Sequence, residues 1–198
     1  MKIKVDARGE ACPKPVIMTK KELDKMEEGI LTTIVDNEIA KDNVSKLANS
    51  LGLEYEVDEI SDKEFHITIT KGEGAANIKE STSDDFKDLT IAFASDTMGK
   101  GSEELGKILI KSFIYTLTEA TPYPSTLLFY NGGINLTCEG SEVLEDLKKL
   151  EEEGVEIISC GTCLDFFNKK DKLQVGEISN MYTIYEKLKN PKNTITIS

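Results

Sequence analysis

Apolar and polar positions follow two different rhythms along this chain, and the change between them falls after residue 72. In the first stretch, "IKV" at 3–5 reads as a short strand and 13–28, "PKPVIMTKKELDKMEE", as a helix. Val16, Lys20 and Leu23 share a face there, as do Leu23 and Met26, and Gly29 is the expected C-terminal stop. "ILTTIV" at 30–35 is β-branched and predicts a strand. Residues 37–52 predict a second helix with Ile39, Val44, Leu47 and Leu51 as its apolar stripe and Gly52 at its end. "LEYEVDEI" alternates, sending Leu53, Tyr55 and Val57 one way, and "EFHITITK" sends Phe65, Ile67 and Ile69 inward. The order is β-α-β-α-β-β. Two helices on one face of a four-stranded sheet bury one core layer, enough for a two-layer sandwich of about 70 residues.

The texture then loses its period. Residues 73–87, rich in Gly, Ala, Ser and charge, read as a flexible linker between a domain at 1–72 and another at 88–198. Beyond it, "LTIAFASD" and "STLLFYNGG" are near-continuous apolar runs, as strands covered on both faces require. "EELGKILIKSFIYTLTEA" and "SEVLEDLKKLEEE" read as helices between such strands, the second closed by Gly154. "VEIISCGTCLDFF" runs strand, turn, short helix; "QVGEI", "NMYTIYEKLKN" and "TITIS" complete the alternation as strand, helix, strand. This predicts a mostly parallel, three-layer α/β domain. Its strand C-terminal ends, where chemistry gathers in such sheets, carry Asp96, Gly133 and Cys160.

Composition narrows the function. The 198 residues carry a formal charge of −12, which argues against a nucleic-acid binder, since that affinity rests on cationic contacts to phosphate. No run approaches the length of a membrane helix, and "MKIKVDARGE" has no apolar h-region, so a cytoplasmic protein is expected. In a reducing compartment the four cysteines, Cys12, Cys138, Cys160 and Cys163, point to chemistry, metal binding or packing rather than to disulfide staples.

Two of these positions have a local reason to be reactive. In "ACPKP", proline suits a first helical position. With Pro13 there, Cys12 is the N-cap, its sulfur beside free N–H groups and the positive end of the helix, which favour the thiolate. Lys14 stands close enough in sequence to assist. In "SCGTCL", Cys160 and Cys163 form a C-x-x-C at a strand-to-helix turn, an arrangement that suits a reactive or redox pair; the alternatives are inert packing or structural zinc, which needs two further ligands. Cys138, ahead of a helix, is a lesser candidate for the same edge, with plain packing the favoured reading. His66 lies on the outward side of its strand and reads as solvated, "MGKGSEE" as a turn and helix cap, and "YNGG" as a close backbone turn beside the Cys160 edge.

"VDARGEACPKPVIMTKKEL" resembles the signature of TusA/SirA-like sulfur carriers: D-x-R-G, two residues, C-P-x-P, then a helix with paired lysines. Asp6, Arg8, Gly9, Cys12, Pro13, Pro15, Lys20 and Lys21 carry the match, over about residues 1–72. In that family the cysteine of the C-P-x-P receives a persulfide sulfur and hands it on, which here implies Cys12. Residues 88–198 resemble the DsrE-like sulfur-relay fold, whose active cysteine follows a middle strand and fits Cys160. The stretch from "LTCEGSEVLEDLKKLEEEGVEIISCGTCLDFF" through "VGEISNMYTIYEKL" is similar to the YedF-type selenium-metabolism family, which joins the two domains.

The resemblance implies a sulfur or selenium relay with Cys12 carrying persulfide or perselenide and exchanging it with Cys160 and Cys163 or with a partner. Its expected partners are a cysteine desulfurase or other persulfide donor, a downstream acceptor protein, and further copies of the chain through the C-terminal domain; no cofactor, metal, nucleic acid or membrane is called for. The competing expectations are a thiol–disulfide oxidoreductase centred on Cys160 and Cys163, and a regulatory or adaptor module with incidental thiols.

Overall fold

The computed structural model describes residues 1–72, 88–189 and 191–198, so the expected linker at 73–87 lies outside the described residues. The chain divides into two compact units, within Met1–Glu80 and Ser81–Ser198. Each is described by itself.

The first unit runs β1 (Lys2–Asp6), α1 (Lys14–Lys25), β2 (Gly29–Val35), α2 (Glu38–Ser50), β3 (Glu54–Ser61) and β4 (Glu64–Lys71). Its sheet has the order β1-β2-β4-β3, with β1 parallel to β2 and the other pairs antiparallel. The period-two pattern sets the register: Leu31, Thr33 and Val35 lie opposite Ile69, Ile67 and Phe65, and all six are buried. Leu23 of α1 and Ala40, Val44 and Ala48 of α2 cover that row. The expected two-layer α/β sandwich is what forms.

Several details differ from expectation. The apolar face of α2 is Ala40, Val44 and Ala48, with Leu47 and Leu51 only partly buried, and Ile39 is 71% exposed. Asn37 caps the helix by accepting the Ala40 N–H at 2.9 Å, and this start sets a phase in which the alanines meet the sheet and Ile39 turns outward. β3 is an edge strand exposed along its whole length, so the alternation of Tyr55 and Val57 buries neither side chain. α1 ends at Lys25 rather than at 28. Lys71 Nζ donates to the carbonyls of Leu23 and Met26 at 2.9 and 2.6 Å, adding a side-chain donor to a helix end where the Met26 N–H already bonds the Leu23 carbonyl at 3.3 Å. Gly29 is not the helix stop but the first residue of β2, at φ +137°, where a Cβ would lie 2.2 Å from the Met1 carbonyl oxygen.

The second unit runs β5 (Leu89–Phe93), α3 (Glu103–Glu119), β6 (Thr126–Phe129), a 3-10 helix (Asn131–Thr137), α4 (Leu144–Glu152), β7 (Glu156–Cys160), α5 (Gly161–Phe166), a 3-10 turn (Lys170–Lys172), β8 (Glu177–Ser179), α6 (Met181–Lys189) and β9 (Asn193–Ile197). Every pairing in the sheet β8-β7-β6-β5-β9 is parallel. Successive strand residues feed different apolar clusters. Ile91, Phe93, Leu127 and Phe129 pack with Ile110, Ile114 and Leu147 of α3 and α4, whereas Ala92, Leu128 and Ile158 pack with Ile184 of α6. Both faces are therefore covered, which is why these strands carry no polar alternation. The C-terminal ends of β5, β6 and β7 share one edge, as expected. There a Cβ on Gly133 would lie 2.0 Å from the Phe93 carbonyl oxygen, so only glycine permits the turn after β6 to lie against β5.

Candidate functional site

Thiols of chemical interest occur in both units. In the first, the D-x-R-G segment frames the loop that leads to Cys12. Arg8 clasps Asp6 through Nε at 2.9 Å and Nη2 at 2.7 Å, and this holds the Asp6 carboxyl down to about 2. Gly9 adopts φ +77° and donates its N–H to Asp36 Oδ2 at 2.7 Å. That N–H, followed by the Asn37 side chain, holds the Asp36 carboxyl below its ordinary range. The loop is thus tied to the turn that starts α2.

Cys12 is exposed, but it is not the helix cap. Lys14 N–H bonds the Ala11 carbonyl at 3.0 Å in a preceding turn, and Pro13 takes the N-cap position. Pro15 falls in the first helical turn, where its missing N–H costs nothing. The Cys12 sulfur therefore stands one residue before the cap, and Asn43 Nδ2 of α2 donates to it at 3.7 Å. Lys14 pairs with Glu10 at 3.1 Å. A cleft of about 210 Å³ opens beside the sulfur, lined by Glu10, Pro15, Val16, Ile39 and Asn43 among others. The outward turn of Ile39, a departure from the helical pattern, gives this cleft an apolar rim.

In the second unit Cys160 ends β7 and caps α5, as the pattern predicts, but it is only 1% exposed and packs with Ala92, Leu128, Ile158 and Ile184. A central strand covered on both faces extends its burial to its last residue. The helix it opens has only six residues. Cys160 thus stands at the helix start that the pattern predicts, but away from solvent. Cys163 is the half-buried member of the pair. It packs against the cluster that holds Cys160, and the Asn131 N–H donates to its sulfur at 3.1 Å. Burial first, then Cys160, pushes the Cys163 thiol above its ordinary value. Asn131 holds left-handed backbone at φ +50°, so the "YNGG" turn does lie beside the thiols.

The other candidates settle simply. Cys138 is fully buried in the larger apolar cluster, 4.0 Å from the Lys169 carbonyl, and burial raises its thiol, so it is a core residue. His66 points outward and its Nε2 meets Glu64 Oε1 at 2.9 Å. In "MGKGSEE", Ser102 caps α3 by accepting the Leu105 N–H at 3.3 Å. Among the described residues, no group of three or more His, Cys, Asp or Glu is placed to hold a metal ion, and no helix is long and apolar enough to cross a membrane.

The roles of four contributors are not legible in the sequence pattern. Asp36 and Asn37 sit in a "VDN" turn whose cap signature is legible, but its reach to Gly9 spans 27 positions. Asn43 meets Cys12 only through the packing of α1 against α2. Asn131 acts through its backbone, which no side-chain pattern reports.

Residues 3–71 match the family model described as "Sulfurtransferase TusA". A protein of Methanocaldococcus jannaschii described as "Putative sulfur carrier protein" is 35% identical over 69 residues, which is 34% of this chain and 92% of that protein. Among solved structures, the SirA-like protein from Desulfitobacterium hafniense is 38% identical, with 36% of this chain and 99% of that one aligned at a TM-score of 0.35. The ychN protein from E. coli is 15% identical, with 55% of this chain and 97% of that one aligned at a TM-score of 0.43.

Proposed function

The chain belongs, through residues 3–71, to the Sulfurtransferase TusA family, and from that premise we propose that it is a sulfur relay protein whose Cys12 carries the transferred atom as a persulfide, or as a perselenide when selenium is supplied. The Cys12 thiolate attacks the terminal sulfur of a donor persulfide. The donor's sulfur–sulfur bond breaks, the donor leaves as a thiol, and Cys12–S–SH remains. The observation that carries this reading is the exposed Cys12 sulfur at the mouth of a cleft, with the Asn43 amide directed at it. The cleft supplies room for a further chalcogen atom, and the exposed Ile39 supplies apolar surface for a partner protein.

The second unit we read as a DsrE-like module, residues 88–198, joined through 73–87 to the carrier domain at 1–72, and the whole chain as YedF-type. Its paired Cys160 and Cys163 exchange the chalcogen with Cys12 or with a partner. The donor is a cysteine desulfurase or another persulfide protein, the acceptor is a downstream protein, and the second unit is the site of any self-association. A reducing cytoplasm suits thiols that work in this way.

The test is loading by a cysteine desulfurase with cysteine or selenocysteine, followed by mass spectrometry of the cysteine peptides. The adduct is expected on Cys12 and absent from the Cys12→Ser variant. If that variant loads as well as the parent, Cys12 is not the carrier. A second reading, thiol–disulfide exchange by Cys160 and Cys163 alone, is favoured by the packing of Cys163 against the cluster that holds Cys160; it requires disulfide turnover unaffected by Cys12→Ser.

A further inference from the structure

We propose that the thiol which accepts sulfur in the second unit is Cys163, and that Cys160 behind it discharges the delivered atom as sulfide by closing a Cys160–Cys163 disulfide. The inference deepens the relay reading, and it rests on that reading only for the source of the sulfur.

Position separates the two roles. Cys160 is 1% exposed, and the turn that follows it is pressed onto β8: a Cβ on Gly161 would come within 3.1 Å of Ile178 Cγ2 and 3.2 Å of the Ser179 carbonyl oxygen. A donor protein cannot bring a persulfide to a sulfur held there. Cys163, three residues on, is only half-buried, and it packs against the apolar cluster that holds Cys160. The order is the reverse of the one expected from the sequence, where the first cysteine of the C-x-x-C was the reactive one.

The Asn131 N–H, 3.1 Å from the Cys163 sulfur, gives the pair its direction. The turn that carries this N–H is fixed by the contact of Gly133 with the Phe93 carbonyl and holds Asn131 at φ +50°, a conformation an unconstrained residue seldom keeps. A donor fixed on one sulfur withdraws electron density from it and supports negative charge as bonds to it change.

The chemistry balances without an added oxidant. In the first step the Cys163 thiolate takes the terminal sulfur of the incoming persulfide. The donor departs as a thiol and Cys163–S–SH forms. In the second, the Cys160 thiolate places its electron pair on the inner sulfur of Cys163. The bond to the outer sulfur breaks, and that sulfur leaves with the pair as HS⁻, which takes up the proton Cys160 gave. The sum is Cys163–S–SH + Cys160–SH → Cys163–S–S–Cys160 + H₂S, with hydrogen selenide as the product from a perselenide. A low-molecular-weight thiol then reduces the disulfide and restores the pair. The raised Cys163 thiol makes the first step faster as the pH climbs through and beyond the ordinary thiol range.

The experiment bypasses Cys12. Full-length Cys12→Ser chain is reduced, freed of reductant and treated with inorganic polysulfide. Released sulfide is followed colorimetrically and the cysteine peptides are mapped by mass spectrometry. The Cys12→Ser chain is expected to release sulfide and gain the 160–163 disulfide. Adding Cys160→Ala should slow release about tenfold or more and leave the persulfide on Cys163. Adding Cys163→Ala should leave Cys160 unmodified. Cys160→Ser serves as a second variant if far-ultraviolet circular dichroism shows the alanine chain unfolded. A persulfide on Cys160 in the Cys163→Ala background, or undiminished release without Cys160, overturns the assignment. Because Cys12 is absent throughout, these outcomes are independent of whether Cys12 is the carrier.

Discussion

A pair of buried hydroxyls under α1 gives a sharp test of how the carrier unit is held together. Thr19 of α1 and Thr33 of β2 are both fully buried, with their oxygens 2.9 Å apart. The Thr19 hydroxyl donates to the Pro15 carbonyl at 2.7 Å, so the proton between the two threonines belongs to Thr33 and Thr19 is its acceptor. The two threonines are therefore not equivalent. Thr19→Val keeps shape and leaves the Thr33 proton buried without a partner, a loss of about 1–3 kcal/mol. Thr33→Val removes that proton and leaves the Thr19 proton on Pro15, so it costs about 0.5 kcal/mol. The double variant has no orphaned proton and should be more stable than Thr19→Val alone by about 1 kcal/mol. The chain holds two units, so one global melting curve does not isolate this effect. Native-state hydrogen exchange of β2 and β4 amides reads the first unit directly, and about 1.4 kcal/mol appears as a tenfold change in exchange. If Thr33→Val costs as much as Thr19→Val, or if the two losses add, the assigned proton direction is wrong.

Three further outcomes follow from other parts of the fold. Gly133→Ala forces a Cβ onto the Phe93 carbonyl and should cost upwards of about 3 kcal/mol in the second unit, read as lost exchange protection in β5 and β6 with β2 unaffected; near-parental protection would refute the close approach. Asp6 is expected to titrate at about 2, and Arg8→Ala should raise it part of the way to the ordinary carboxylate range, the backbone N–H of residue 8 still donating to it, as followed by carboxyl carbon shifts. A depressed carboxyl stabilises the folded loop above its unfolded value near 3.8, and that contribution fades as the pH falls through about 2. Loop signals that change instead above pH 5 would contradict the Arg8 clasp. Lys71→Met removes the side-chain donor from the Met26 carbonyl and leaves the Leu23 carbonyl with the Met26 N–H alone, and should cost about 1 kcal/mol, with the loss centred on the C-terminal turn of α1; an effect confined to β4 would argue against this cap.

The sequence already contained most of the scaffold because the strongest signals in it are periodic. Alternation in "EFHITITK" placed Phe65, Ile67 and Ile69 in the core, and the unbroken apolar runs of the second unit announced strands covered on both faces. Where the reading slipped, phase or topology was responsible. Ile39 fits a helical stripe as well as Ala40 does, and only the cap at Asn37 decides which of them meets the sheet. Tyr55 and Val57 alternate correctly yet gain no cover, because edge position depends on the order of strands rather than on any one of them.

At the thiols the division is clearer still. The chain by itself determined that Cys12 lies on a loop opening a helix and that Cys160 and Cys163 bracket a strand-to-helix turn, because proline, glycine and spacing act over a few residues. Only the folded molecule decided that Cys12 is exposed beside Asn43, that Cys160 is sealed within a two-sided core, and that Cys163 meets the Asn131 N–H. Those outcomes depend on contacts between residues some thirty positions apart, and a sulfur's solvation and hydrogen-bond donors are set by neighbours in space.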